Sequence, residues 1–293
     1  MEHPFLTNIR YADDIILFAK SLDELVEMLS LLKDVLEEVG LDMHPLKTKI
    51  LSNQLDNRYL MVDIGDMMIE VLSPEKSHKY LGRNINLFAH LRTTCELNHR
   101  LQVAWAKFHQ HRRWLMDPHI PLTLRLRFFD ALISPTALFG CAVLSHTREE
   151  SSKMDVAQRK MLRNILGWRR QAGEDWEVTM HNMKVRLSNA LEKFPIAAWS
   201  DCIFRMRWKY AVHIVFNQKM EFPRLLADWI PTDNTVEGLN PFRKRGRPRR
   251  RWDDDLYFYC KEELDLDHWL ELRNFSVSQL DEIENDFVVY CKE

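Results

Sequence analysis

The first hydrophobic pattern of the chain is a pair of short runs, rich in β-branched and aromatic residues, that span residues 5–19 and meet at Asp13 and Asp14. Two extended runs joined at a polar pair predict a β-hairpin with the two acids at its tip. Two carboxylates on a rigid turn can bind Mg²⁺, which takes a few protein oxygens and leaves its other positions to water and substrate phosphate. Aspartate is also a common turn residue, so the pair taken alone favours a solvated turn.

Residues 22–39 follow the hairpin, with apolar side chains at helical spacing. Ser21 and Glu24 form the capping-box pattern that starts a helix, so we expect one amphipathic helix of about five turns. After it, residues 41–51 predict a short strand, a turn and another strand, and residues 71–85 predict a further hairpin. The first third of the chain is therefore expected to combine small β elements with one helix.

Residues 87–170 have an almost entirely helical pattern, in which three apolar stripes mark three helices. The stripes are Leu97–Phe108, Leu122–Ile133 and Met154–Ile165. Residues 199–216 predict another helix, dense in arginine and tryptophan, and residues 231–241 have the turn signals of a linker. The segment from Asp253 onward predicts one short helix or two. Strands followed by helices indicate an α+β protein.

Charge is distributed unevenly along the 293 residues, although the formal net charge is only −2. Residues 1–100 carry a net charge of −5, residues 101–170 carry +7, residues 171–252 carry +6 and residues 253–293 carry −10. A basic middle between acidic ends is typical of a surface that meets phosphates, although solvated helix faces produce part of this pattern. Nucleic acid is therefore an expected partner.

Several classes of protein do not fit the sequence. The longest apolar run, residues 137–144, is far shorter than the ~20 residues that cross a bilayer, so no membrane partner is expected. The five cysteines are too widely spaced for a close zinc-binding pair, and their odd number argues against a full disulfide framework. The first residues lack the features of a secretory signal, so we expect an intracellular protein.

Two clusters mix arginine with tryptophan, at residues 112–114 and 168–170. Their arginines are Arg112, Arg113, Arg169 and Arg170. Such clusters suit phosphate contact combined with stacking on bases. Arginines that lie over a core tryptophan produce the same sequence, so both interpretations stay open.

The run 243–251 contains seven positive residues in nine. Its core, residues 245–248, resembles an AT-hook, an extended segment whose arginines enter the narrow minor groove of A·T-rich DNA. The candidate contacts are Arg245, Arg247, Arg249 and Arg250. A nuclear import signal, which would make the protein nuclear, and a basic surface loop are alternative explanations.

Three short motifs follow one another at residues 11–14 (YADD), 40–49 (GLDMHPLKTK) and 79–82 (KYLG). In sequence, order and spacing they resemble three successive palm motifs of reverse transcriptases from non-LTR (LINE-type) retrotransposons. The resemblance implies an RNA-directed DNA polymerase whose parts lie in order along the chain. They are the C-terminal part of the palm at 1–86, a helical thumb at 87–170, a basic helical region with the AT-hook-like segment at 171–252, and an acidic C-terminal tail at 253–293.

The resemblance also implies a role for each motif. Asp13 and Asp14 would be the catalytic Mg²⁺ ligands, Lys47 would lie near the phosphates of the incoming nucleotide, and Tyr80-Leu81-Gly82 would grip the primer end. His44 stands where the family usually has asparagine. The implied partners are an RNA template, a DNA primer or target, and deoxynucleotides.

The resemblance covers only the later part of the catalytic domain. Reverse transcriptases have a further aspartate, well upstream of the YADD motif, that completes a two-metal site, and only ten residues precede Tyr11. We therefore expect the isolated chain to be inactive as a polymerase. The alternatives are a non-catalytic nucleic-acid-binding protein, which would use the basic middle and the AT-hook-like run, and a decayed remnant of an element.

Overall fold

The structure is a computed structural model, and it describes residues 6–52, 61–73, 75–87, 89–167, 170–227 and 251–292. These residues form two compact units, one of residues 6–92 and one of residues 93–227 with 251–292. We call them the N-terminal unit and the helical unit. Small sheets with one helix in the first, followed by helices throughout the second, confirm the predicted α+β class.

The N-terminal unit contains seven strands and one long helix in its described residues. They are β1 (Asn8–Tyr11), β2 (Asp14–Leu17), α1 (Leu22–Glu38), β3 (Lys49–Leu51), β4 (Met61–Ile64), β5 (Met67–Leu72), β6 (Ser77–Tyr80) and β7 (Arg83–Asn86). β1 and β2 form one antiparallel hairpin, and β6 and β7 form another. Between them in sequence, β5 is the central strand of a three-stranded sheet, parallel to β3 and antiparallel to β4.

Both ends of α1 are determined by local sequence. The Ser21 hydroxyl accepts a hydrogen bond from the Glu24 amide at 3.2 Å, as predicted. At the other end Gly40 has a φ of 75°, and the amides of Gly40 and Leu41 donate to the carbonyls of Glu37 and Leu36, the pattern of a Schellman motif. One apolar side of the helix packs on the three-stranded sheet, where the buried residues are Leu29, Ile50, Val62, Ile64, Met67 and Ile69.

One strand prediction was wrong, and one predicted hairpin is present but begins later than expected. Residues 41–44 form no strand, because the Leu41 amide bonds back to α1 and the Lys47 and Thr48 amides both donate to the His44 carbonyl. Pro45, which has no amide hydrogen, also cannot take part in a strand ladder as a donor. The predicted hairpin at 71–85 is shorter than expected, since its first two residues belong to β5 and pair with other strands.

The helical unit contains the longest helices of the chain. Its described helices are α2 (Ala89–Gln110), α3 (Arg112–Leu115), α4 (Leu122–Leu138), α5 (Arg148–Ile165), α6 (Trp176–Lys193), α7 (Trp199–Phe216), α8 (Glu221–Ala227), α9 (Asp254–Glu263) and α10 (Val277–Tyr290), with short 3₁₀ helices at Cys141–Val143 and Trp269–Asn274. Among these helices, none combines the length and the apolar character that crossing a membrane requires. The predicted helix 199–216 matches α7 residue for residue.

Two groups of buried side chains hold the helical unit together. The first core comes from helices α2 to α6 with the start of α7, and it contains members of all three predicted stripes, such as Phe108, Phe129 and Met161. The second core comes from the rest of α7 with α9, the second 3₁₀ helix and α10, and it includes Trp208 and Phe287. The acidic segment predicted as a tail is therefore folded onto α7.

A buried arginine lies where α7 meets three other parts of the unit. Arg207 is 1% exposed. Its guanidinium donates to the carbonyl oxygens of Ala142, at 3.3 Å, and Leu144, at 2.7 Å, and to Nδ1 of His146 at 3.1 Å. It also forms an ion pair with Asp255 of α9. A charge buried this deeply is tolerated only because its donors are matched by acceptors.

Candidate functional site

The predicted hairpin with acids at its tip is confirmed. Tyr11 lies opposite Asp14 in the β1–β2 ladder, so Ala12 and Asp13 form a two-residue loop. Ala12 has a φ of 51°, as the first position of a primed hairpin turn requires. Both carboxylates are exposed to solvent. An alanine in the left-handed region costs of order 1–3 kcal/mol, and such strain is concentrated at functional sites.

The β6–β7 hairpin has the same construction at the third motif. Tyr80 lies opposite Arg83, and the loop residues Leu81 and Gly82 have φ values of 47° and 77°. Positive φ at both loop positions is the signature of a type I′ turn, for which glycine suits the second position and leucine is unfavourable at the first. Each of the two motifs therefore holds one strained, non-glycine residue at the tip of a hairpin.

Tyr80 connects the two motifs electrostatically. Its side chain is half-buried, and the phenol oxygen is buried without a hydrogen-bond partner in the part of the chain that the structure describes. Burial raises the pKa of the Tyr80 phenol above its ordinary value, and the negative charge of Asp14 raises it further. A neutral phenol with an unused hydrogen-bond donor thus lies within the field of the acid pair.

Lys47, the predicted catalytic residue of the second motif, lies on the turn before β3 and is exposed. The nearby Lys49 is instead engaged, because its ammonium lies 2.8 Å from Glu70, which also accepts from Lys76 at 3.4 Å. Burial and the charge of Lys49 lower the pKa of His78 beside them. Of the two lysines in the second motif, Lys47 is the one that this arrangement leaves for a ligand.

The side chains at the hairpin tip have the type of oxygen atom that Mg²⁺ prefers as a ligand. Asp13 and Asp14 offer hard carboxylate oxygens that face water, which is how this ion is commonly bound. Within the described ranges, however, no group of three or more histidine, cysteine, aspartate or glutamate side chains converges on one point. The tip thus offers two candidate ligands, and an ion bound there would need further oxygens from water or other groups.

The described residues of the two arginine–tryptophan clusters differ in their exposure and contacts. On α3, Arg112 and Arg113 are exposed and Trp114 is 63% exposed, so this tryptophan is not a core residue under its arginines. Arg170 is engaged locally, with its Nε donating to the Glu174 carbonyl at 2.9 Å and its guanidinium 6.0 Å from the Trp176 ring centroid. Arg169, Arg245, Arg247, Arg249 and Arg250 lie outside the described residues, and their roles stay predictions.

Two further arginines were missed by the sequence analysis. Arg125 of α4 donates to the Ile165 carbonyl at 2.6 Å, and Arg186 of α6 donates to the Leu166 carbonyl at 3.3 Å. Together they satisfy the free carbonyls at the end of α5, where positive charge is favoured. Because they lie 40 and 20 residues from their acceptors, no local pattern identifies them. They bring positive charge from two helices, α4 and α6, to the C-terminal end of α5.

Relieving the strain at Leu81 should stabilise the β6–β7 hairpin. In Leu81→Asn the loop becomes Asn-Gly, the preferred type I′ sequence, and we expect a gain of about 1 kcal/mol. Amide exchange of β6 and β7 should slow about fivefold. Leu46→Asn is the matched control, because Leu46 is 78% exposed and has no positive φ. Equal protection in both variants would show that Leu81 is not strained.

The comparisons with known proteins cover the N-terminal unit and, in one case, most of the chain. Residues 3–85 match the family model described as reverse transcriptase (RNA-dependent DNA polymerase). Over 251 residues the chain is 26% identical to an uncharacterised transposon-derived protein of Caenorhabditis elegans, a match that covers 86% of this chain and 84% of that protein. No solved structure matches the chain significantly. The segment that carries both strained hairpins is thus similar to reverse transcriptases, and most of the chain is similar to a transposon-derived protein.

Proposed function

We propose that the chain is the C-terminal part of the reverse transcriptase of a non-LTR retrotransposon, an RNA-directed DNA polymerase. The observation that carries this proposal is the strained hairpin tip with Asp13 and Asp14, inside the segment that matches the reverse transcriptase model. In this assignment residues 1–86 belong to the palm, residues 87–170 to the thumb, and the basic residues after them contact nucleic acid. The substrates are an RNA template, a DNA primer or target, and deoxynucleotides.

In the proposed site each motif residue has one task. Asp13 and Asp14 would hold Mg²⁺, which when bound would neutralise phosphate charge and lower the pKa of the primer hydroxyl. Lys47 attracts the phosphates of the incoming nucleotide, since its exposed ammonium is a point charge that binds phosphate. Tyr80 and the Leu81–Gly82 turn position the primer end, and the charge of Asp14 helps to keep the buried Tyr80 phenol protonated.

The proposed site is incomplete in the isolated chain. Two-metal phosphoryl transfer needs ions held between carboxylates on separate strands, whereas Asp13 and Asp14 are adjacent on one hairpin. We therefore propose that the isolated chain does not extend a primer on an RNA template. Mg²⁺-dependent DNA synthesis that is lost in Asp13→Asn would contradict this part of the proposal and leave the family assignment intact.

Mg²⁺ is predicted to bind weakly at the hairpin tip, in the millimolar range or weaker, because two carboxylates replace little of its water shell. In an NMR titration with MgCl₂, the amides of residues 11–15 should shift, and Asp13→Asn with Asp14→Asn should abolish the shift. The control is Glu37→Gln with Glu38→Gln, which removes an exposed adjacent acid pair of the same unit. Tight binding that survives in the double asparagine variant would overturn the assignment.

A second candidate is a nucleic-acid-binding protein without catalysis. The exposed Arg112 and Arg113 beside Trp114 favour it, together with the net charge of +7 over residues 101–170. Binding by phosphate neutralisation weakens steeply with salt and does not require Mg²⁺, whereas a retained active site responds to the ion. Arg112→Ala with Arg113→Ala should lower the salt slope by about one unit for each phosphate that these arginines neutralise.

A further inference from the structure

Trp114 is held in an exposed position by its neighbour. α3 is a single turn of helix, and Leu115, which follows Trp114, is fully buried in the first core. Successive side chains on a helix point about 100° apart, so anchoring Leu115 turns Trp114 toward solvent. The Trp114 amide also donates to the His111 carbonyl at 3.0 Å, which fixes the backbone of the turn. The exposed indole is therefore presented by a structured segment.

The other tryptophans of the helical unit differ from Trp114. The buried indoles of Trp199, Trp208 and Trp269 donate to Ser134, Leu280 and Asp253 at 3.0, 3.1 and 3.1 Å. Trp176 is 49% exposed, and the Arg170 guanidinium covers its ring. Over the ranges that the structure describes, Trp114 is the most exposed tryptophan, and no aromatic contact or side-chain hydrogen bond of its indole is present. Both its ring face and its N–H remain available to a ligand.

The surroundings of Trp114 are strongly basic. Residues 107–127, which we call the α3 corner, contain five basic side chains and one acidic side chain. The basic ones are Lys107, Arg112, Arg113, Arg125 and Arg127. The single acid, Asp117, accepts from the His119 amide at 2.9 Å and so is occupied in its own loop. An exposed indole inside a field of this sign matches a ligand that has both negative charge and flat apolar rings.

We infer that Trp114 is a stacking platform for a base of an unpaired RNA strand, whose adjacent phosphates are bound by Arg112 and Arg113; this inference rests on the proposed function. An unpaired strand offers base faces for stacking, whereas a duplex hides them and presents mainly phosphates to such a surface. Stacking does not discriminate RNA from DNA, and RNA is assigned because the template of an RNA-directed DNA polymerase is RNA.

Fluorescence anisotropy can separate stacking from charge. The probes are an unstructured RNA oligonucleotide, an abasic strand with the same number of phosphates, an RNA duplex, and single-stranded DNA of the same sequence. Trp114→Ala should weaken binding of the RNA strand by about 5- to 100-fold and leave the abasic strand and the duplex unchanged. Trp114→Phe should keep most of the affinity. Trp114→Leu should behave like alanine, because it keeps apolar volume and lacks an aromatic face.

Phe258→Ala is the control, since Phe258 is also a partly exposed aromatic residue, at 46%, but lies in the acidic α9. Equal losses on the RNA and abasic strands would overturn the stacking role. Full affinity in Trp114→Leu would do the same and would favour an apolar protein partner. Tighter binding of DNA than of RNA would contradict the assignment to the template. If the wild-type chain binds none of the probes, the nucleic-acid contacts of the proposed function are rejected together with the stacking. If affinity falls in Arg112→Ala with Arg113→Ala but not in Trp114→Ala, the nucleic-acid contacts of the proposed function stand and only the stacking is rejected.

Discussion

Replacing Arg207 with methionine is expected to lower the free energy of unfolding of the helical unit by about 3–5 kcal/mol. The guanidinium is the common partner of Asp255, His146 and two backbone carbonyls in the interior. Methionine fills much of the volume but donates nothing, so a carboxylate and two carbonyls are left without this buried donor. Urea unfolding followed by circular dichroism would measure the change.

Arg205→Met is the matched control for this experiment. Arg205 lies on the same helix and pairs with Glu284 at 3.2 Å, but its side chain is 40% exposed. We expect it to cost less than about 1 kcal/mol. Adding Asp255→Leu to Arg207→Met should recover part of the stability, because it removes the carboxylate that has lost its guanidinium partner. Similar midpoints for the two single variants would show that Arg207 does not connect the parts of the unit.

Phe287→Ala is expected to destabilise the helical unit by about 3–5 kcal/mol. The ring is fully buried, and its centroid lies 5.2 Å from that of Trp208 and 5.3 Å from that of Tyr259. Truncation would leave a cavity between three elements that cannot readily collapse. If α10 is packed into the second core, the thermal unfolding midpoint of the full chain should be much lower in Phe287→Ala than in the wild type.

The control is Phe258→Ala, which removes a ring that is 46% exposed from the neighbouring α9. Its expected cost is under about 1 kcal/mol. An unchanged unfolding midpoint in Phe287→Ala would mean that the acidic segment is not part of the second core.

Helices were the part of the fold that the sequence predicted best. The pattern of residues 199–216 located α7 residue for residue, and the Ser21–Glu24 pattern located the start of α1, where the Ser21 hydroxyl accepts from the Glu24 amide at 3.2 Å. The three-stranded sheet was not predicted. Its order depends on β3 pairing in parallel with β5, about twenty residues away, and neither strand has a local signal for that choice.

The sequence predicted which residues form the candidate site, but it did not predict the long-range contacts between them. The hairpin at Asp13 and Asp14 follows from local pattern, but the influence of Asp14 on the Tyr80 phenol joins positions 66 residues apart. The burial of Arg207 was equally unpredictable from the sequence. An arginine within a helix ordinarily suggests a solvated face, and only Asp255, 48 residues later, makes its burial tolerable. The exposure of Trp114 follows from the burial of the adjacent Leu115, and the Arg112-Arg113-Trp114 cluster alone does not predict that burial.

The sharing of α7 between two cores has a consequence for synthesis of the chain. Ribosomes deliver residues in order, so the first core can form once α7 has emerged, while the partners of its second half, residues 254–290, come last. Until then the apolar face at Phe204 and Trp208 has no cover, and Arg207 lacks its carboxylate. During synthesis the helical unit must therefore pass through a stage in which α7 exposes an apolar face and an unpaired arginine until residues 254–290 have been made. Binding by a chaperone at that stage would most affect the yield of folded protein.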